Sequence, residues 1–162
     1  MLKAQYGRKD RLIKEKRHDA YQETIKLPEP TKCVKCHAIF SNGRWTWKNI
    51  PITVNETTCP ACRRIEDNYP AGFVKIRGKF LREHRDNIHG LIQNIENQEK
   101  RDRPLERIIS INKTKNQTVV TTTGIHVARR IGEALSRSFK GDLSFQYADG
   151  EKSIRVNWRR EE

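Results

Sequence analysis

The chain has 162 residues, and its 33 Lys and Arg against 20 Asp and Glu give a net charge of +13. It contains no run of about 18 apolar residues, which excludes a membrane-spanning helix, and a hydrophobic fraction of 35% argues against one core built from the whole chain. The positive charge favours a polyanionic partner, namely RNA, DNA or an anionic surface, although a basic protein without such a partner is the simpler alternative.

Residues 1–30 are dense in charge and poor in apolar side chains, so they bury too little surface to offset the entropy of ordering. We interpret them as a basic arm that becomes helical on a partner, with a solvated terminus as the alternative. The first ten residues lack the apolar stretch of a signal peptide, so we expect a cytoplasmic protein. Cytoplasmic thiols stay reduced, and paired cysteines there more often bind metal than form disulfides.

Residues 31–70 contain all four cysteines, in the pattern C-x2-C-x22-C-x2-C. Each C-x2-C forms a tight knuckle that offers two thiolates, and two knuckles complete a tetrahedral shell. The long spacer suits a hairpin that turns at Ser41-Asn42-Gly43, with short strands at Phe40 and over 44–48. The region shows no helix-length periodicity. We predict a zinc ribbon with one structural Zn²⁺, because four protein ligands leave no position for a catalytic water. The predicted ligands are Cys33, Cys36, Cys59 and Cys62.

Three other interpretations of the cysteines stay open. The C-x-x-C-H sequence from Cys33 to His37 matches the attachment site of a c-type haem, but it leaves the second pair unexplained and that chemistry normally occurs outside the cytoplasm. A thioredoxin-type redox pair lies between a strand and a helix, a context that neither pair clearly has. An iron–sulfur cluster would use the same ligands.

Residues 71–160 show the periodicities of a mixed fold. They predict a strand over 72–80, a helix over 82–101, strands over 107–111 and 117–122, a second helix from Ile125 to Phe139 capped by Thr123, and a final strand pair around 149–150. The order β-α-β-β-α-β-β predicts an α+β, ferredoxin-like domain with an extra strand and both helices on one face of the sheet.

Eight side chains are candidates for RNA contact. In the ribbon, basic residues flank an aromatic hairpin or follow the second knuckle, which suits phosphate contact and base stacking. At the second helix, polar side chains surround backbone N–H groups that favour phosphate. Tryptophan packing on the knuckles and an ordinary capped helix are the simpler alternatives. The candidates are Arg44, Trp47, Lys48, Arg63, Arg64, His126, Arg129 and Arg130.

Several motifs occur in an order that resembles a family of small bacterial zinc-ribbon proteins over nearly the whole chain. They include the two knuckles, Gly43-Arg44-Trp45-Thr46-Trp47, Tyr69-Pro70-Ala71-Gly72, Pro104-Leu105-Glu106-Arg107-Ile108, and the segment from Thr122 to Gly132. That family is similar to the N-terminal and middle regions of archaeal and eukaryotic Nmd-type adaptors of the large ribosomal subunit. The resemblance implies ribosome binding. The additional cysteines of the eukaryotic adaptors have no counterpart here, so an export role is not implied.

One departure from the bacterial family bears on the first knuckle. The family usually has Gly directly after it, where this chain has His37. Gly tolerates a left-handed backbone, so we expect strain at His37.

The sequence contains no P-loop, no H-E-x-x-H and no nucleophile elbow. We therefore predict no catalytic residue and no small-molecule substrate. The predicted function is a non-enzymatic zinc-ribbon protein that binds RNA and associates with the ribosome. A zinc-dependent protein-interaction module, or a DNA-associated regulatory one, is the alternative.

Overall fold

The computed structural model describes residues 27–49, 55–148 and 150–162. The predicted arm at 1–30 therefore lies almost wholly outside the described residues. The strands are β1 Thr31–Cys33, β2 Ile39–Ser41, β3 Arg44–Thr46, β4 Asn55–Thr57, β5 Gly72–Arg77, β6 Ile108–Lys113, β7 Gln117–Thr122, β8 Asp142–Ala148 and β9 Ser153–Arg159. The helices are α1 Pro60–Asp67, α2 Lys79–Glu83, α3 Arg85–Asp102 and α4 Ile125–Phe139.

The first sheet belongs to the ribbon region and has the strand order β3-β2-β1-β4. Strands β2 and β3 form the predicted hairpin, in which Phe40 is opposite Trp45. Asn42 and Gly43 have φ angles of 55° and 77°, and positive φ at both central residues is typical of a tight hairpin turn. Strand β4 pairs with β1 in parallel, so the chain returns beside β1 before the second cysteine pair.

Helix α1 follows the first sheet and was not predicted. It begins at Pro60, a residue with a fixed φ that suits the first helical position. It ends at Asp67 and is followed by the C-cap residue Asn68, which adopts the left-handed conformation with a φ of 50°. The sequence of residues 31–70 shows no helix-length periodicity, and this eight-residue helix is therefore an addition to the expected ribbon of short strands.

The second sheet has the strand order β6-β7-β5-β9-β8. Strand β7 lies between β5 and β6 and is antiparallel to both, which is the split β-α-β arrangement that the sequence predicted. Strand β9 then pairs with β5 in parallel, and β8 lies at the edge. The α+β class is confirmed, whereas the ferredoxin-like order is not confirmed in full.

Helices α3 and α4 cover one face of the second sheet and share a single core with it. Alternate residues of β5, β7 and β9 point into this core, together with one stripe from each helix. Its fully buried large side chains include Ile76, Val120, Trp158, Ile88, Ile92, Ile131 and Leu135. None of the described helices is long and apolar enough to cross a membrane.

Two local predictions in this region were wrong. The strand predicted over 72–80 ends at Arg77, because Gly78 has a φ of 109° and a Cβ there would lie 2.0 Å from the carbonyl oxygen of Arg160. Thr123 does not cap the second helix, since Gly124 is the N-cap residue. The hydroxyl of Thr123 instead accepts a hydrogen bond of 2.9 Å from the backbone N–H of Arg107.

Candidate metal centre

The four cysteine Sγ atoms form one cluster, within 4.8 Å of one another. Two of the distances, Cys33 to Cys62 and Cys36 to Cys59, are 3.8 Å. A tetrahedral ion with metal–sulfur bonds of about 2.3 Å separates its sulfurs by about 3.8 Å, whereas a disulfide bond is about 2.05 Å long. All four cysteines are free thiols, and their arrangement is compatible with one structural metal ion.

The first knuckle follows directly from β1. The N–H of Cys33 donates to the carbonyl of Ala38 at 2.8 Å, and the N–H of His37 donates to the carbonyl of Cys33 at 3.0 Å. This tight loop requires a left-handed residue, and His37 has a φ of 69°. The left-handed turn expected at His37 is therefore confirmed.

The second knuckle is the N-terminus of α1. Cys59 is the N-cap residue, and its Sγ accepts a hydrogen bond of 3.4 Å from the N–H of Cys62. The N–H of Cys59 donates in turn to Sγ of Cys33 at 3.2 Å. Backbone N–H groups at a helix N-terminus favour a thiolate over a thiol. The position of Cys59 and Cys62 at the start of α1 therefore favours binding of a cation.

Arg107 reaches the cluster from the segment before β6. Its Nη2 donates a hydrogen bond of 3.1 Å to Sγ of Cys59. Burial would lower the pKa of Arg107, but the negative charges of Cys59, Cys36 and Cys62 outweigh it, so the pKa is raised. Arg107 was not predicted as a site residue, because its position 48 residues after Cys59 follows no ligand spacing.

Hydrogen bonds, burial and the charge of Arg107 shift the pKa values of the cysteine thiols. The hydrogen bond from Cys59 is the main cause that lowers the pKa of Cys36, and the charge of Arg107 acts in the same direction. Burial is the main cause that raises the pKa of Cys62, and there Arg107 opposes it. Arg107 therefore favours the thiolate form, which is the form that binds a metal.

The cluster is enclosed by the protein. Cys33 and Cys59 are fully buried, and the partly buried side chains of Trp45 and Leu105 pack against them. Packing of one tryptophan against the knuckles is thus confirmed. Elsewhere in the described part of the chain, no group of three or more His, Cys, Asp or Glu side chains is arranged to hold a metal. Four sulfur ligands in an enclosed position suit a structural ion and leave no room for a reacting water.

Of the ribbon side chains predicted to contact RNA, some are exposed and others form hydrogen bonds within the protein. Arg44 and Lys48 are exposed, and Trp47 is 39% exposed although its Nε1 donates to the carbonyl of Lys100 at 2.5 Å. The guanidinium of Arg63 donates to the carbonyl of Thr58 at 2.9 Å.

Arg64 faces the interior of the protein. It is 6% exposed, and its Nη1 donates to the carbonyl of Tyr69 at 2.9 Å. This placement does not support the predicted contact of Arg64 with RNA, because a buried guanidinium presents too little surface to a polyanion. Arg64 instead fixes the chain that leaves α1.

A carboxylate of the protein already occupies the N-terminus of α4. Oε1 of Glu106 accepts a hydrogen bond of 2.7 Å from the N–H of Val127. A Cβ on Gly124 would lie 1.9 Å from Oε2 of Glu106, so Gly makes room for the carboxylate. Burial raises the pKa of Glu106. This arrangement favours the simpler interpretation, an ordinary capped helix, over a phosphate site.

The three α4 side chains predicted to contact RNA also interact with other residues of the protein. The carboxylate of Glu99 is 9% exposed, and its oxygens lie 2.8 Å from Nε of Arg130 and 3.1 Å from Nε2 of His126. Arg129 is exposed and donates to the hydroxyl of Tyr147 at 3.2 Å. Each of these three side chains therefore has a partner within the protein. Trp47 of the ribbon lies close to two of them, because it contacts Lys100, the residue after Glu99.

Comparison of the chain with protein-family models, with curated proteins and with solved structures finds no match in any of the three.

Proposed function

We propose that the protein is a non-enzymatic zinc-ribbon protein that binds RNA and associates with the ribosome, with one structural Zn²⁺ on Cys33, Cys36, Cys59 and Cys62. Zinc is the usual ion for four thiolates in tetrahedral arrangement, and the 3.8 Å distances between sulfurs support that geometry. A single ion of this kind supplies folding free energy, which the short strands of the first sheet need.

The observation that carries RNA binding is the net charge of +13. Two carboxylates contribute little negative charge to the surface, because Glu99 is almost wholly buried and Glu106 lies against the N-terminus of α4. On the ribbon, Arg44 begins β3 and Lys48 follows its end, and both are exposed. The ring of Trp47, between them in the sequence, is 39% exposed. Cations beside an aromatic ring suit phosphate contact and base stacking. The ribosome as the source of the RNA follows from the family resemblance.

A filter-binding assay with the purified full-length chain tests the proposal. Ribosomal RNA and isolated ribosomal subunits are titrated at several salt concentrations. We expect micromolar or tighter affinity that falls steeply with salt, because cations released from the nucleic acid drive the binding. Absence of association at low salt would contradict RNA binding. Equal affinity for duplex DNA would favour a DNA-associated module.

A pair of matched variants tests the ribbon contacts. Arg44→Gln with Lys48→Gln removes two charges beside Trp47, and Arg101→Gln with Arg137→Gln removes two exposed charges from α3 and α4. We expect the ribbon pair to weaken binding about tenfold and to lower the salt slope by about 1.4 for single-stranded RNA, since each phosphate contact contributes about 0.7. Equal affinities of the two pairs would contradict a contact at the ribbon.

A further inference from the structure

The second sheet has one face that helices α3 and α4 do not cover. Register defines this open face: Phe73, Lys75 and Arg77 of β5 are level with Arg155, Asn157 and Arg159 of β9. The residues between them, such as Ile76 and Trp158, point into the core. The neighbouring strands add Thr121, Val119 and Gln117 of β7, Ser110 and Asn112 of β6, and Gln146, Ser144 and Asp142 of β8.

The open face carries an excess of positive charge at its centre. Lys75, Arg77, Arg155 and Arg159 are all exposed and lie on the two adjacent central strands. The Cα atoms of Lys75 and Arg77 are about 6.6 Å apart along β5, and those of the paired residues Arg77 and Arg159 on adjacent strands are about 4.8 Å apart. Asp142 is the one carboxylate at the described open-face positions, so four positive charges stand against one negative charge. Such a lattice of cations complements a chain of phosphates.

An aromatic ring and a guanidinium stack at one end of this lattice. The Arg155 guanidinium carbon lies 4.7 Å from the centre of the Phe73 ring, within the range of a cation–π contact. The guanidinium plane of an arginine is a platform on which unpaired bases stack. Gln146 is level with Arg155, and Asn157 and Ser144 lie two residues further along their strands. Their amide and hydroxyl groups suit hydrogen bonds to base edges.

A basic pocket continues the open face at its other end. It has a volume of about 300 Å³ and is lined by Arg77, Lys79, Arg82, Arg159, Asn116 and Glu161. Four cations and one carboxylate give the lining an excess charge of 4 − 1 = +3. The Arg159 guanidinium lies 2.8 Å from Glu161, and Arg82 donates to Asn116 at 3.4 Å. Exposed ion pairs of this kind contribute little, so the excess positive charge of the pocket lining favours an anion.

We propose that the open face and its basic pocket bind single-stranded RNA. Phosphates lie along the central cations and in the pocket, and an unpaired base stacks on Arg155 above Phe73. A duplex hides its base faces, so the stacking pair favours a single strand. This inference rests on the proposed RNA binding and assigns a surface distinct from the ribbon.

The test measures fluorescence anisotropy of a labelled single-stranded RNA of mixed sequence with the zinc-loaded full-length chain. One variant, Lys75→Gln with Arg155→Gln, removes two charges from the open face. The matched control, Arg101→Gln with Arg137→Gln, removes two exposed charges from the helices. We expect the open-face variant to bind at least tenfold more weakly and with a salt slope lower by about 1.4, while the control binds within about twofold of wild type.

A third variant separates stacking from charge. Arg155→Lys keeps the positive charge but loses the planar guanidinium group. We therefore expect an unchanged salt slope and an affinity about fivefold lower, which corresponds to part of the free energy of stacking one base. If wild type binds and the open-face variant matches the control, this inference is overturned while RNA binding stands. If wild type binds none of the RNA at low salt, both are overturned. Tighter binding of duplex than of single-stranded RNA also overturns the assigned ligand.

Discussion

Nη2 of Arg107 donates a hydrogen bond of 3.1 Å to Sγ of Cys59, and this contact links the second sheet to the cysteine cluster. The adjoining backbone N–H of Arg107 donates to the hydroxyl of Thr123, which fixes the direction from which the guanidinium approaches. A second link is the hydrogen bond from Nε1 of Trp47 to the carbonyl of Lys100. The ribbon thus contacts both the segment before β6 and helix α3, and a change at Arg107 should alter metal affinity.

Replacing Arg107 tests this link. Arg107→Met removes the N–H donor and the positive charge while it keeps a long apolar stem, so we expect metal affinity to fall between about 10-fold and 100-fold, as for other residues that hydrogen-bond to ligands. Competition with a chromophoric chelator measures the change. Arg101→Met, at an exposed position on α3, is the matched control and should retain the affinity of wild type. An unchanged affinity for Arg107→Met would show that the contact does not act on the ion.

Removing the metal should unfold the ribbon and spare the second core. Trp45 packs on the cysteine cluster, whereas Trp158 is fully buried in the other core. Since folding of such sites depends on the ion, we expect a strong chelator to shift tryptophan emission to longer wavelength. A variant with Trp45→Phe and Trp47→Phe keeps Trp158 as its one tryptophan and should show little shift. No shift in the wild-type protein would contradict metal-dependent folding.

His37→Gly should stabilise the metal-bound protein. His37 has a φ of 69°, and a left-handed conformation costs a residue with a Cβ about 1–2 kcal/mol. The greater freedom of Gly in the unfolded chain offsets part of this gain, so we expect the free energy of unfolding to rise by about 0.5–1 kcal/mol in urea. Val34→Gly lies in the same turn without positive φ and should destabilise. Loss of metal affinity in His37→Gly would instead indicate that the imidazole is a ligand.

Glu106 gives the folded protein a defined pH dependence. Burial raises its pKa above the ordinary value of 4.5, so the folded state holds this proton more tightly than the unfolded state does. The stability that the proton contributes is complete below the unfolded pKa and is lost as pH rises through the folded pKa. Glu106→Gln keeps an oxygen for the N–H of Val127 but does not ionise.

Urea unfolding of both proteins at a series of pH values, with zinc in excess, measures this difference. We expect the free energy of unfolding of wild type, relative to Glu106→Gln, to decrease as pH rises above 4.5. Both proteins have the same cysteines, so the difference between their free energies of unfolding cancels the contribution of cysteine protonation. A difference that is constant or increases with pH would contradict the assigned direction of the pKa.

Local patterns predicted much of the fold. The Ser41-Asn42-Gly43 turn predicted the ribbon hairpin because the turn residues and both strands lie within a few positions. The stripe through Ala128, Ile131 and Leu135 predicted α4, because one buried face imposes a period of 3.6 residues. Helix α1 was missed since eight residues are too few to show that period, although Cys59 followed by Pro60 is a helix start signal.

Such local patterns do not predict which distant strands pair with each other. The sequence does not indicate that β9, rather than β8, pairs with β5, because both strands alternate in the same way. The cysteines could be predicted as a cluster since their spacing within each pair is set by the knuckle. Arg107, Glu99 and Glu106 could not, because their roles arise only when the segment before β6 meets α1, α3 and α4.

The four cysteine sulfurs are proposed to bind one structural zinc ion. X-ray absorption at the zinc edge of the purified full-length chain tests this assignment most directly, because it counts the atoms bonded to the metal. We predict one zinc per chain with four sulfur neighbours at about 2.3 Å. A shell that contains a nitrogen or oxygen neighbour, or a chain purified without zinc, would contradict the account.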